Sequence, residues 1–171
     1  MPATLRLLIT ATCVFALAAC AAIPGFSPAV SYVVVRHAEK AAGDADDPAL
    51  TDAGRARADQ LATLLRSRDV VAAYATDFRR TRDTAAPTAV AHDVSITSYD
   101  ADAPAETVAA RLRRGHDRGT VLVVGHSNTV PGIVSALCGC AVAPIDESDY
   151  GNLFEVRIRG DAPPELTHRR Y

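Results

Sequence analysis

Tryptophan is absent from this 171-residue chain, lysine occurs once, at Lys40, and there are only five tyrosines and four phenylalanines. So few aromatic rings argue against a platform that stacks sugars or bases. Charge of either sign is also in short supply as an excess. Twenty acidic side chains face eighteen basic ones, for a formal net charge of −2, so the basic footprint of a nucleic-acid binder is missing. There is no internal repeat and no low-complexity tract, which excludes a solenoid. No cluster of carboxylates, or of Cys and His, falls at ligand spacing, so neither a metal nor a cofactor is expected. What remains is a chain long enough for one domain with a real core.

One long apolar run is present, and it lies at the start. Arg6 supplies a short basic region, and Leu7 to Ala19 is almost unbroken apolar sequence ending in Leu17-Ala18-Ala19-Cys20. Small residues ahead of a cut site mark an export signal, and this tetrapeptide resembles the bacterial lipobox, in which the cysteine carries lipid and becomes the new N-terminus. The rival is an uncleaved anchor, since the run is only slightly short for a membrane span. The chain therefore divides into a lipoprotein signal at 1–19, a tether at 20–30 containing Pro24, Gly25, Ser27 and Pro28, and a domain at 31–171. By the same resemblance, Ala21 after Cys20 implies an outer-membrane lipoprotein in a Gram-negative host, with the domain on the periplasmic side.

Two stretches organise the domain. Tyr32-Val33-Val34-Val35 runs into Arg36-His37-Ala38-Glu39, and Val121-Leu122-Val123-Val124 runs into Gly125-His126-Ser127. Short β-branched runs read as strands buried on both faces, and ligands of α/β sheets bind beyond the carboxyl ends of such strands. If the two strands are parallel neighbours, both imidazoles meet at one rim. Between and after them the pattern alternates. Thr51 caps a helix bearing Ala58, Leu61, Ala62 and Leu65 on one face, and Val70 to Ala75 is a strand. A helix from about Thr76 ends or kinks at Pro87, and Val94 to Tyr99 is a shorter strand. Pro104 opens a helix through Arg114, and a further helix spans about Asn128 to Leu137. Asn152 to Arg159 reads as an edge strand, and Pro163-Pro164 breaks the chain before a polar tail. The expected fold is a three-layer α/β/α arrangement on a mostly parallel sheet.

Arg79, Arg80 and Arg82 crowd the start of the helix from about Thr76, where free backbone N–H groups and the dipole already favour an anion. Guanidinium groups there suit a phosphate, which arginine grips through two bonds. Cys138-Gly139-Cys140 offers two thiols that can oxidise outside the cytoplasm, although so short a loop strains disulfide geometry. With no nearby third ligand they make a poor zinc site, and a structural or incidental role is favoured.

Taken together, Arg36-His37-Ala38-Glu39, Leu50-Thr51-Asp52-Ala53-Gly54-Arg55, Thr76-x-x-x-Arg80-Thr81-x-x-Thr84-Ala85 and Gly125-His126-Ser127 resemble the histidine phosphatase superfamily, also called phosphoglycerate-mutase-like, from about Ser31 to Ile158. The resemblance implies that His37 is a nucleophile, that Arg36 and Arg80 hold phosphate, that His126 contacts the phosphoryl group, and that no metal takes part. The activity implied is hydrolysis of a phosphomonoester through a phosphohistidine, on a phosphorylated small molecule or a phosphoprotein. The alternatives are a phosphate-binding pseudoenzyme or a phosphomutase. Physically, a transferring phosphoryl group needs positioning and positive neighbours, which Arg36, Arg80 and a protonated His126 would supply. The general acid is open among Asp100, Asp102, Glu106 and Glu39, because Ser127 stands where one branch of the family has an aspartate.

Overall fold

The computed structural model describes residues 29–43 and 46–171. The signal, Cys13, Cys20 and the tether up to residue 28 lie outside the described residues. The first strand, β1 (Ala29–Arg36), begins inside the stretch read as tether. It is followed by α1 (Asp52–Leu65), β2 (Val70–Ala75), α2 (Arg79–Ala91), β3 (Ile96–Ser98), α3 (Ala105–Gly115), β4 (Gly119–Gly125), α4 (Val130–Cys138), β5 (Asn152–Arg159) and β6 (Glu165–Arg170).

The six strands form one sheet in the order β3-β2-β4-β1-β5-β6. β3, β2, β4 and β1 are mutually parallel, and β5 runs antiparallel to β1. β1 and β4 are adjacent and in register, Arg36 opposite Gly125, while Ala75 at the end of β2 lies opposite Val124. The residues that follow these three strands, His37, Thr76 and His126, therefore emerge at one rim. Strand alternation sorts the core into two clusters. Val33, Val35, Ala73, Ala75, Leu122 and Val124 pack with Leu61 and Leu65 of α1 and Ala85 and Ala89 of α2. Tyr32, Val34, Tyr74, Val121 and Val123 pack with Val108 and Leu112 of α3 and Ile133, Val134 and Leu137 of α4. With β1 and β4 apolar on both faces, the sequence periodicity of two is invisible in them, as expected of central strands.

Two expectations need correction. Pro87 neither ends nor visibly interrupts α2, which continues to Ala91. The hydrogen bond that proline removes is the one to the carbonyl of Asp83, an exposed residue that water can serve, and the buried Ala85, Thr88 and Ala89 hold the helix on the sheet. β5 is not an edge strand, because the polar tail after Pro163-Pro164 forms β6 against it, Asn152 pairing with Arg170 through to Arg157 with Glu165. Every residue of β6 is exposed, so no apolar pattern announces it; an edge strand of charged residues is also a common way to discourage further pairing. The oxidation left open for Cys138 and Cys140 is present: they are joined in a disulfide with Cα atoms 5.2 Å apart. Gly139 makes this reversal at φ 67° as the C-cap of α4, a left-handed conformation that glycine adopts without a Cβ penalty.

The approach of α1 to the rim depends on Gly54. Thr51 caps α1 by accepting from Gly54 N at 3.0 Å, and Thr51 N donates to Glu39 O at 2.9 Å. A Cβ on Gly54 would press into the Glu39 carbonyl, inside van der Waals contact. Gly54→Ala should therefore destabilise the protein by about 1–3 kcal/mol, read as a lower midpoint in denaturant unfolding; an unchanged midpoint would show that the helix start is not seated as described.

Candidate phosphate site at the strand ends

His37 follows β1, and its backbone N donates to Gly125 O at 2.9 Å, continuing the β1–β4 ladder by one residue. Its ring lies 5.4 Å from that of His126, centroid to centroid. The His37 ring Nδ1 is 2.8 Å from Ala38 O. A carbonyl only accepts, so Nδ1 carries the proton and Nε2 keeps its lone pair. Burial, with help from the charges of Arg36, His126 and Arg80, pushes the His37 pKa down to about 3, so the ring is neutral at physiological pH. His126 is held at about 4, by burial first and then by Arg80 and Arg36. The expected imidazolium at His126 is therefore not the resting state: two arginines and desolvation outweigh its tendency to protonate.

Arg36 is 4% exposed. One terminal nitrogen donates to the backbone carbonyls of Asp146 and Glu147 at 3.1 and 2.6 Å, and the guanidinium lies 4.2 Å from the centre of the Tyr150 ring. The 139–151 crossover thus wraps the arginine from outside the sheet. Arg80, in the first turn of α2, stacks over Phe78 at 4.2 Å and lies 3.8 Å from Asp47. Among the described residues, the buried Nε–H groups of both Arg36 and Arg80 have no hydrogen-bond partner. Leaving such a donor unpaired costs about 1–3 kcal/mol; both side chains also line the cleft, where guanidinium groups suit an anionic acceptor.

Three threonines hold this geometry. Thr84 accepts from Ala38 N at 2.9 Å and donates to Arg80 O at 2.7 Å, tying the turn after β1 to the helix that carries Arg80. Thr76 touches both His126 Nε2 and Thr81 Oγ1 at 2.9 Å. Only Arg80 of the three arginines reaches the cleft. Arg82 pairs with Asp77 at the surface, and Arg79 lines a separate groove between α1 and α2. The α2 N-terminus is itself partly occupied, with Arg79 N donating to Asp47 at 2.8 Å.

These groups line an open cleft of about 350 Å³ together with Lys40, Phe78, Asp102, Asn128 and Glu147. Of the four carboxylates proposed from sequence, Asp102 alone lines it. Glu39 is gripped by Arg57 through contacts of 2.6 to 3.0 Å, which hold its carboxyl below the ordinary range. Asp100 accepts from Asp102 N, and Glu106 sits in the first turn of α3. Asp102 does not cap that helix, whose N-cap is Pro104 without a side-chain bond. Sequence reasoning missed Tyr150, Phe78 and Glu147. Phe78 lay within a quoted motif, but Tyr150 and Glu147 sit in a stretch with no periodicity, and only the returning β5 brings them to the rim.

Fold and site together define an α/β protein with a cationic cleft built around two neutral histidines. Residues 32–103 match the family model of the histidine phosphatase superfamily (branch 1). A protein assigned as a phosphohistidine phosphatase SixA, from Nakamurella multipartitia, is 24% identical, with 83% of this chain and 96% of that chain covered at a TM-score of 0.62. The protein histidine phosphatase SixA complexed with tungstate is 18% identical, with coverages of 82% and 96% and a TM-score of 0.69. Mycobacterial glucosyl-3-phosphoglycerate phosphatase is 16% identical, with coverages of 81% and 97% and a TM-score of 0.64. No curated protein sequence matches the chain. The family model covers fewer than half of the residues, and the solved structures show that the chain shares their fold.

The depressed imidazoles have a consequence for stability. An unfolded histidine titrates near about 6.5, and the folded ones near about 3 and about 4. As pH falls below about 6.5 the unfolded chain binds protons that the folded chain refuses, so stability is lost through this window, down to the folded pKa values. Denaturant midpoints measured at about pH 7 and about pH 5 should fall with acidification. The double variant His37→Asn, His126→Asn should lose less, and an equal loss in the variant would contradict the burial described.

Proposed function

We propose that this protein is a metal-independent phosphomonoester hydrolase that works through a phosphohistidine on His37, within the expected α/β/α architecture. The observation that carries the reading is the Nδ1–H bond from His37 to Ala38 O in a cleft that Arg36 and Arg80 also line. A neutral ring protonated at Nδ1 has its nucleophilic lone pair on Nε2. That nitrogen attacks phosphorus, the P–O bond to the leaving group breaks, and Arg36 and Arg80 take the charge on the equatorial oxygens. Water then attacks the phosphohistidine, the P–N bond breaks, and neutral His37 returns with inorganic phosphate. We take Asp102, the sequence candidate that lines the cleft, as the carboxyl that gives the leaving oxygen its proton in the first step and recovers one from the attacking water in the second. The names of the structural neighbours, a protein histidine phosphatase and a sugar-phosphoglycerate phosphatase, make both phosphoproteins and small phosphoesters reasonable substrate classes.

Mixing with a labelled phosphomonoester and quenching in alkali, where a phosphoramidate survives, should trap label on wild-type protein and none on His37→Ala. Arg80→Ala should reduce kcat/KM on the order of 100- to 1000-fold with the fold retained. Asp102→Asn should slow alkyl esters far more than aryl esters, whose leaving groups need no proton. A wild-type protein that binds phosphate without ever labelling would leave the pseudoenzyme reading in its place.

We further infer export and membrane attachment through a lipid on Cys20, on the sequence Leu17-Ala18-Ala19-Cys20 after an apolar run. The Cys138–Cys140 disulfide suits an oxidising compartment. Cys20→Ser should accumulate a precursor of higher mass that keeps its signal; a wild-type product cut elsewhere and carrying no lipid would sink the assignment.

A further inference from the structure

We propose that a buried chain of two threonine hydroxyls locks His126 in the Nε2–H tautomer, so that its Nδ1 can engage a phosphate oxygen only by taking up a proton. The proposal rests on the phosphohydrolase reading for its ligand and on proton counting for its logic. Thr76 and Thr81 are both 0% exposed, so no solvent molecule enters the count. The Thr81 hydroxyl lies 2.7 Å from Phe78 O and 3.0 Å from Thr76 O. Both are acceptors only; Phe78 O also accepts from Thr81 N and Arg82 N, so it is Thr76 O, 3.0 Å away, that claims the single hydroxyl proton of Thr81. The 2.9 Å contact between Thr76 and Thr81 must then use the proton of Thr76. That leaves Thr76 Oγ1 with lone pairs alone to offer His126 Nε2, 2.9 Å away. The contact is a hydrogen bond only if Nε2 bears hydrogen. Turning the chain round, with Thr76 donating to Nε2, would set lone pairs against lone pairs at Thr81 or strip it of its carbonyl bonds.

The neutral ring therefore presents a bare Nδ1 to the cleft. The charged and titratable groups around it are Arg36 and His37 after β1, Lys40 beyond them, Arg80 on α2, Asp102 before α3 and Glu147 from the crossover. With no ligand the cations oppose protonation. A phosphate dianion reverses the local charge, and a lone pair facing a phosphate oxygen is repulsive until one proton lies between them. Whether that proton ends on nitrogen or oxygen, the complex holds one more than its separated parts. His126 is thereby a proton-taking partner of the oxyanion, and Thr76 and Thr81 are positioning residues that act through it.

Calorimetric titration with inorganic phosphate in buffers of different ionisation enthalpy tests this directly. At about pH 8.5, above the second ionisation of a phosphate, wild-type binding should draw in about one proton. Thr76→Ser should do the same. Thr76→Val removes the lock, lets the ring donate from a neutral Nδ1–H, and should bring the uptake near zero. His126→Gln should abolish uptake, and His37→Gln should keep it, which assigns the proton to His126. Nitrogen NMR of the histidine-labelled wild-type protein gives a second readout that needs no variant: Nε2 of His126 protonated and Nδ1 bare. Phosphate binding without proton uptake, uptake unchanged in Thr76→Val, uptake lost in His37→Gln, or the opposite tautomer would each overturn the lock while leaving hydrolysis through His37 intact. Failure of the wild-type protein to bind phosphate at all would remove the phosphohydrolase reading and the lock with it.

Discussion

The cleft is organised around a guanidinium that the sheet has buried. Arg36 ends one of the two central strands and is almost wholly removed from solvent. A charge in that position is tolerable only with partners on every side. The protein supplies three main-chain carbonyls of the 139–151 crossover for one nitrogen and the face of Tyr150 for the plane of the group, and leaves Nε–H aimed at no protein atom among the described residues. Most of the site follows from this. The crossover must fold over the rim to deliver its carbonyls. A neutral His37 follows first from burial and then from the permanent cation that is its chain neighbour. Arg80 can approach only because it has a different arrangement of support, Phe78 beneath it and Asp47 beside it.

Support of this kind explains why the threonines matter as much as the charges. Side chains that hold a phosphoryl group must not move when its charge redistributes, and rigidity has to come from neighbours that are themselves fixed. Thr84 spans from the turn after β1 to the first turn of α2 with one hydroxyl, accepting on one side and donating on the other. Thr129 caps the turn after β4 in the same way, accepting from His126 N at 2.9 Å. Each ties a catalytic candidate to a secondary-structure element.

How much of this was legible beforehand depends on how local the cause was. β2 was readable to the residue, because a run of small and branched apolar residues between a helix and a turn has one sensible state. The meeting of His37 and His126 was readable as a conditional: each ends an apolar run, and parallel adjacency does the rest. The N-cap at Thr51 follows from its position before Asp52 and three residues ahead of Gly54. What could not be read is what the tertiary structure alone decides. β6 has no buried residue and exists because β5 offers it an edge. Tyr150 reaches Arg36 across more than a hundred residues of chain. The choice among four carboxylates needed the position of Arg57, which removes Glu39 from the candidates by pairing with it. The charge state of His126 was misjudged because a phosphate-holding role suggests an imidazolium, whereas the site without its anion is too dry and too positive to keep one.

The two histidines also show how one environment can prepare two different reagents. Both rings are buried, both lie beside the same arginines, and both are driven to neutrality by the same causes. Nothing in their charge surroundings tells them apart. The distinction is made one bond further out, by what each ring nitrogen faces on the protein side. His37 turns Nδ1 to a carbonyl, which has no proton to give, and so keeps its lone pair on Nε2. His126 turns Nε2 to a hydroxyl that could donate or accept, and that ambiguity is resolved by Thr81, whose own proton is already committed to the main-chain carbonyl of Thr76. The tautomers are therefore opposite, and each is traced to a carbonyl oxygen whose position is set by backbone: Ala38 in the turn after β1, and Thr76 ahead of α2. Electrostatics makes both rings uncharged, and hydrogen-bond direction decides which face of each one can react.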